Sequence, residues 1–267
     1  MKTVSELMTL KGRVALITGG AGHIGSVIGE TLAELGANVV LLDIFKEPCF
    51  SVSEVISKEY DVDTLPLIVN LADEKEIKKV PQKIIKNFKR LDILVNCAAL
   101  GGDSKLKGWT TSFEKQNTST WRKALEINLT APFLLTQLCT PALKKSGYGS
   151  VINISSTYGV IGPDMRLYKG TNMGNPAAYA SSKGGLIQLT RWLATVLAPE
   201  IRVNAVTIGG VWRNQPEIFR KRYIERTPLR RMATEEDIKG IIAYLASDLS
   251  TYVTGQNIVV DGGWTIW

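Results

Sequence analysis

At 267 residues, 45% of them apolar, the chain is long enough for one α/β domain with a large core. Its net charge of +7 comes without a basic stripe interleaved with aromatics, which argues against a nucleic-acid partner and for an anionic cofactor or substrate. No apolar run approaches a membrane span, and the opening MKTVSELMTLKGR is too mixed for a secretory signal. Cys49, Cys97 and Cys139 have no paired spacing and read as reduced thiols of a cytoplasmic protein; a single histidine argues against a zinc or other metal site.

Seven short apolar runs read as strands buried on both faces: residues 13–18, 38–43, 64–69, 91–96, 149–155, 201–206 and 256–260. Amphipathic segments such as EKEIKKVPQKIIKNF and WRKALEINLTAPFLLTQLCTPALKK lie between them. Such alternation predicts a single α/β domain: a Rossmann-type, doubly wound parallel sheet of seven strands with helices on both faces. Residues 100–118, 157–175 and the arginine-rich 208–232 are too long for plain connections. All three follow strands and so belong to the carboxyl edge, where ligands bind in such sheets.

After the first strand, Gly20, Gly22 and Gly25 form G-x-G-x-x-G. The first glycine is expected to make the tight turn, the second to admit a pyrophosphate and the third to pack helix on strand. The following helix would offer its N-terminal dipole and N–H groups. Asp43, 18 residues after Gly25, ends the second strand. Its carboxylate suits the hydroxyls of an adenosine ribose and repels a 2′-phosphate, so NAD is the expected cofactor. Further along, Tyr179 and Lys183 are four residues apart in a predicted helix and share a face. An ammonium there would favour the phenolate and make the tyrosine a usable acid–base group near neutral pH.

Together these residues resemble the short-chain dehydrogenase/reductase family, along essentially the whole chain from LKGRVALITGG to YVTGQNIVVDGGW. Alignment on SVINISS places the family serine at Ser156, and EINLTAPFLLTQ places the asparagine at Asn128. The resemblance implies that Tyr179 exchanges a proton with the substrate oxygen and that Lys183 lowers its pKa and holds the nicotinamide ribose. Ser156 would polarise the substrate oxygen, and Asn128 would position a water relaying protons to Lys183. It implies cofactor contacts from Gly19, Gly20, Gly22, His23, Ile24 and Gly25 in the first loop and from Asp43 and Ile44 after the second strand. Asn70 and Leu71 would follow from the third strand, Asn96 and Ala98 from the fourth, and Gly209, Val211 and Arg213 from the sixth. Substrate would meet Ser156, Tyr158, Tyr179 and Arg213. A homodimer or homotetramer is the implied assembly, with the helix of Tyr179 at its interface.

Four departures from the family pattern stand out. His23 replaces a glycine, leaving two uses open: lining the cleft near the pyrophosphate, or a neutral first-turn residue without a chemical task. Ser156 and Tyr179 are 23 residues apart, a longer gap than the short single-domain branch usually has. NCAA stands where N-N-A-G is usual, and Ile208 and Arg213 replace a proline and a threonine. The insert between Ser156 and Tyr179 carries Arg166, Tyr168, Lys169, Thr171, Asn172 and Asn175, a polar set that suits a sugar, sugar acid or polyol. It resembles that of gluconate 5-dehydrogenases and surface-sugar oxidoreductases. Arg213, the basic segment after it, Arg166 and Lys169 predict a cleft that favours an acidic substrate. Three other readings stay open: a 3-oxoacyl thioester reductase, a nucleotide-sugar-modifying enzyme, and a non-catalytic NAD-binding regulator.

Overall fold

The computed structural model describes residues 1–101 and 106–267, so residues 102–105 of the predicted long stretch 100–118 lie outside the described residues. Seven strands form one sheet: β1 (Val14–Thr18), β2 (Asn38–Asp43), β3 (Thr64–Ile68), β4 (Ile93–Asn96), β5 (Gly149–Ser156), β6 (Ile201–Ile208) and β7 (Asn257–Val260). All neighbours pair parallel, in the order β3-β2-β1-β4-β5-β6-β7. The helices are α1 (Val4–Met8), α2 (His23–Glu34), α3 (Lys46–Tyr60), α4 (Glu74–Ile77), α5 (Val80–Phe88), α6 (Thr118–Leu125), α7 (Ala131–Ser146), α8 (Ala177–Leu197), α9 (Glu217–Arg226) and α10 (Glu236–Ala246). None of them is long and apolar enough to cross a membrane.

A parallel sheet of apolar strands needs cover on both faces. Alternation along β1 sends Val14 and Leu16 to one face, against Ile84 of α5, Leu135 and Leu143 of α7 and Leu193 of α8. Ala15 and Ile17 go to the other, against Ile28 and Leu32 of α2, Ile56 of α3 and Ile242 of α10. The outer strands depart from the sequence expectation. Ile68 of β3 and Val259 of β7 are 37% and 40% exposed, because an edge strand has a neighbour on one side only. The order turns between β1 and β4, which opens a crevice at their carboxyl ends.

Two local features position the crevice walls. Between α6 and α7 the chain runs through one π turn, Glu126–Thr130, which carries Asn128. Such turns interrupt helices most often at functional positions. The insert after β5 has two short 3₁₀ turns, Thr157–Gly159 and Met165–Tyr168. Its Leu167 and Tyr168 pack with Phe219 and Tyr223 of α9, Met232 and Trp264 in a separate small core. Tyr223 stacks on Trp264 at 5.4 Å, and Tyr158 meets the same indole edge-on at 5.9 Å. Asp164 of the insert pairs with Arg226 of α9, and the Trp267 indole donates to the Arg226 carbonyl at 3.1 Å. Insert, α9 and C-terminal residues therefore form one roof.

Truncating a buried tryptophan costs about 3–5 kcal/mol. Trp264→Ala is expected to loosen this roof ahead of the sheet. Amide exchange should accelerate in 165–173 and 217–226 while β1, β4 and β5 stay protected; uniform acceleration would make the roof and the sheet one cooperative unit.

Candidate active site

The crevice is a cleft of about 1470 Å³ running from the first loop to the roof. Its cofactor-side wall begins where β1 meets α2. Gly19, at φ +67°, makes the tight turn expected of Gly20. Gly20 is buried instead: a Cβ there would meet Leu41 at 2.9 Å, and it does not line the cleft. At Gly25 a Cβ would lie 2.0 Å from the Gly19 carbonyl oxygen, so helix and loop touch only through glycine. The loop also presses on the exit of β4, where a Cβ on Gly19 would come within 2.9 Å of Ala98. The Thr18 hydroxyl accepts from the Cys97 and Ala98 amides at 3.0 and 3.1 Å and pins that exit to β1.

Asp43 closes the far side. Its carboxylate accepts from the backbone amides of Ala21 (3.0 Å), Ile44 (2.8 Å) and Phe45 (3.2 Å). A carboxylate has about four acceptor sites, so this one is fixed in place yet able to take a further donor. Gly19, Gly22, His23, Ile24, Gly25, Asp43, Ile44, Asn70, Leu71, Ala98, Gly209, Val211 and Arg213 all line the cleft. His23 is exposed and opens α2, in keeping with a first-turn residue at the cleft wall.

The opposite wall joins β5 to α8. Ser156 ends β5, and its hydroxyl accepts from the Tyr158 amide at 3.3 Å. Gly159 brings the following turn onto α8, since a Cβ there would lie 2.7 Å from the Lys183 backbone. Tyr179 and Lys183 project from α8 into the same cleft, with the ammonium 5.9 Å from the phenol ring centroid. Lys183 is 3% exposed and donates to the Ile154 carbonyl at 2.6 Å. Burial pulls its pKa down to about 8. Desolvation in turn pushes Cys97 up to about 11, leaving it a neutral lining group.

Asn96, expected to contact the cofactor, and Asn128, expected to position a water toward Lys183, both lie behind the wall. Asn128 accepts from the Leu100 amide at 2.8 Å and donates to the Leu100 carbonyl and the Ser182 hydroxyl. Both its amide protons are therefore used within the protein. Asn96 donates to Asn153 at 2.8 Å and stitches β4 to β5. Neither side chain lines the cleft.

The roof also differs from the sequence expectation. The Arg166 side chain is 83% exposed and paired with Asp164. Arg213 lines the cleft but meets Glu235 at 3.4 Å, while Arg220 pairs with Glu217 and Arg231 with Asp237. Arg222 donates to the carbonyls of Arg166, Leu167 and Lys169. The basic segment thus stabilises the roof, which lines the cleft with Tyr158, Tyr168, Met173, Phe219, Tyr223 and Met232 together with the polar Asn172, Asn175, Arg213 and Gln215. Sequence reasoning missed Phe219 and Tyr223. Their i, i+4 spacing within an arginine-rich helix was the available signal.

A parallel sheet of this order, with a glycine cradle at one end of its crevice and a tyrosine–lysine pair at the other, defines a Rossmann-type oxidoreductase. Residues 19–265 match the family described as enoyl-(acyl carrier protein) reductase, a short-chain dehydrogenase model. The chain is 36% identical to a 3-oxoacyl-[acyl-carrier-protein] reductase of Thermotoga maritima, over 97% of this chain and 100% of that protein. It is also 36% identical to a trans-4-hydroxycyclohexanecarboxylate dehydrogenase of Sinomonas cyclohexanicum, over 99% and 96% of the two chains. A solved structure from Beutenbergia cavernae, described as a putative NAD(P)-dependent gluconate 5-dehydrogenase with NADP bound at low occupancy, superposes with TM-score 0.85 at 29% identity, covering 98% of this chain and 100% of that one. The chain belongs to the short-chain dehydrogenase/reductase family and is an oxidoreductase acting on CH–OH groups.

The buried lysine yields a pH signature. A folded-state pKa of about 8 lies below the model-compound 10.5. Between these values the unfolded chain holds a proton that the folded chain has released, so stability rises with pH. Below about pH 8 both forms are protonated and the full cost of the buried charge is present. In paired denaturant titrations, wild type should gain stability relative to Lys183→Met as pH rises from about 8 to 10.5. A flat difference would mean that Lys183 is solvated.

Proposed function

We propose that the protein transfers a hydride between NAD(H) and a secondary hydroxyl or ketone of a small, polar, sugar-like substrate: a sugar, sugar acid or polyol. The single observation that carries this is the shared cleft. It places a carboxylate at the end of β2, glycines between β1 and α2, and Ser156, Tyr179 and Lys183 beneath a closed roof. A bound nicotinamide supplies or accepts the hydride. Gly19, Gly22 and Gly25 let the backbone approach its pyrophosphate, and Asp43 takes the adenosine ribose hydroxyls. Tyr179 gives or takes the proton on the substrate oxygen, Ser156 holds that oxygen, and the Lys183 ammonium favours the phenolate. Asn128 ties the 100-loop to α8 beside this group, and a water near its main chain would complete the proton path to Lys183.

Reduction of a 3-oxoacyl thioester is the second reading, favoured by the identity to the Thermotoga maritima reductase. Asp43 speaks against the phosphate of NADPH. Assembly as a homodimer or homotetramer belongs to the same proposal. Trp192 and Val196, exposed on α8, offer it an apolar face; sedimentation as a monomer at working concentration would remove it.

Hydrogen bonds to a charged group contribute about 1.5–3 kcal/mol, so NAD should be preferred over NADP by about tenfold to over a hundredfold. Asp43→Ser should shrink that ratio, read by titration of both dinucleotides. Tighter NADP binding by the wild type would overturn the cofactor assignment. The substrate class is tested by NADH formation with a polyol and sugar-acid panel, run beside acetoacetyl thioester with NADPH.

A further inference from the structure

One buried acceptor in the substrate cleft lacks a partner. Asn175 ends the insert, directly before Pro176 and α8. Its Oδ1 is buried and makes no hydrogen bond among the described residues. Asn175 lies close to the Tyr168 phenol, whose hydroxyl donates a 2.8 Å hydrogen bond to the Tyr158 hydroxyl. Asn175, Tyr168 and Tyr158 line the cleft together with Ser156 and Tyr179. Tyr179 lies close enough to act electrostatically on both phenols.

Burial keeps the two phenols neutral: it pushes Tyr168 up to about 12 and Tyr158 higher still. They therefore carry two O–H protons, of which their mutual bond uses one. The other remains to donate, and the Asn175 oxygen remains to accept. An amide can also present its NH₂ group at the same place. A hydroxyl, which donates and accepts, satisfies either arrangement. A methylene would leave the buried amide unpaired. A carboxylate would bring a charge to three neutral side chains, and Arg213 of the same cleft already faces Glu235. Phe219, Tyr223, Met173 and Met232 surround these groups with apolar surface, which suits the carbon skeleton of a ring.

We propose that Asn175, Tyr168 and Tyr158 form a subsite for a second hydroxyl of the substrate, on the same small ring or short chain as the reacting hydroxyl. The inference rests on the reading of the protein as an alcohol oxidoreductase for a polar, sugar-like substrate, and it names the feature that selects within that class.

The experiment compares kcat/KM for trans-1,2-cyclohexanediol and cyclohexanol with NAD, in the wild type, Tyr168→Phe and Asn175→Leu. One hydrogen bond to a neutral group makes the diol the better substrate by about tenfold, and two by about a hundredfold. Each substitution is expected to shrink the ratio by about tenfold, and Asn175→Gln to restore part of it. NADH titration by fluorescence confirms that each variant is folded. Tyr168→Phe keeps its ring and packing, and it decides alone if Asn175→Leu fails to bind NADH. A wild-type ratio near one, or an unchanged ratio in the folded variants, overturns the subsite and leaves alcohol oxidation standing. No turnover of either alcohol, with acetoacetyl thioester reduced by NADPH, overturns the underlying reading and the subsite with it. No turnover of any of the three overturns the subsite as well.

Discussion

The arrangement depends on one ammonium that has been taken out of water. Among the described residues the Lys183 ammonium donates to one carbonyl, that of Ile154 on β5, and the walls around it bury it. That carbonyl belongs to the strand ending in Ser156, and the lysine to the helix bearing Tyr179. The bond that satisfies the charge therefore also sets the spacing between the serine strand and the tyrosine helix. Ser155 reinforces it, donating from its hydroxyl to the Lys183 carbonyl at 3.0 Å. Gly159 permits the approach by having no side chain. A charge buried in this way destabilises the fold, and such costs are usual where chemistry needs a perturbed group.

A second constraint acts at the other end of the cleft, through contact without charge. Gly19, Gly25 and Ala98 bring loop, helix and β4 exit so close that even a methyl group intrudes at two of the three. Thr18 then fastens the β4 exit with two hydrogen bonds. Two unlike devices, a desolvated charge and a glycine contact, fix the two ends of one crevice.

How much of this was legible follows from what each signal measures. Strand runs were legible because a parallel sheet buries both faces, and the seven runs fall on β1 to β7. The edge positions of β3 and β7 were not, since strand order is a long-range property that a local apolar run does not carry. Ser156, Tyr179, Lys183 and Asp43 were legible from motif spacing, and they share the cleft. Asn96 was expected at the cofactor and Asn128 at a water beside Lys183, and motif membership does not say which way a side chain points. Both point inward and bond protein groups. The glycine turn slipped by one position because Gly19 and Gly20 are adjacent, and only φ tells them apart. The insert was read as polar from composition. Its arginine is outside, while Tyr158, Tyr168 and Met173 line the cleft beside Asn172 and Asn175, so composition did not separate the cation from the hydroxyl and amide groups.

The roof stands apart energetically from the edge where the chemistry sits. The reacting edge is built on β1, β4 and β5, whose residues are buried throughout. The roof rests on a small aromatic cluster, the Asp164–Arg226 pair and a few carbonyl contacts from Arg222. Parts with little buried apolar area open at lower free energy than the core. The roof can therefore move to admit a substrate without disturbing the lysine or the glycine cradle. The same separation lets substrate choice change independently of the reaction. Residues of the insert and α9 can be exchanged while the Ser156–Tyr179–Lys183 edge keeps its geometry. This accounts for how relatives named for an acyl-carrier-protein thioester and a cyclohexanecarboxylate can share 36% identity with one chain.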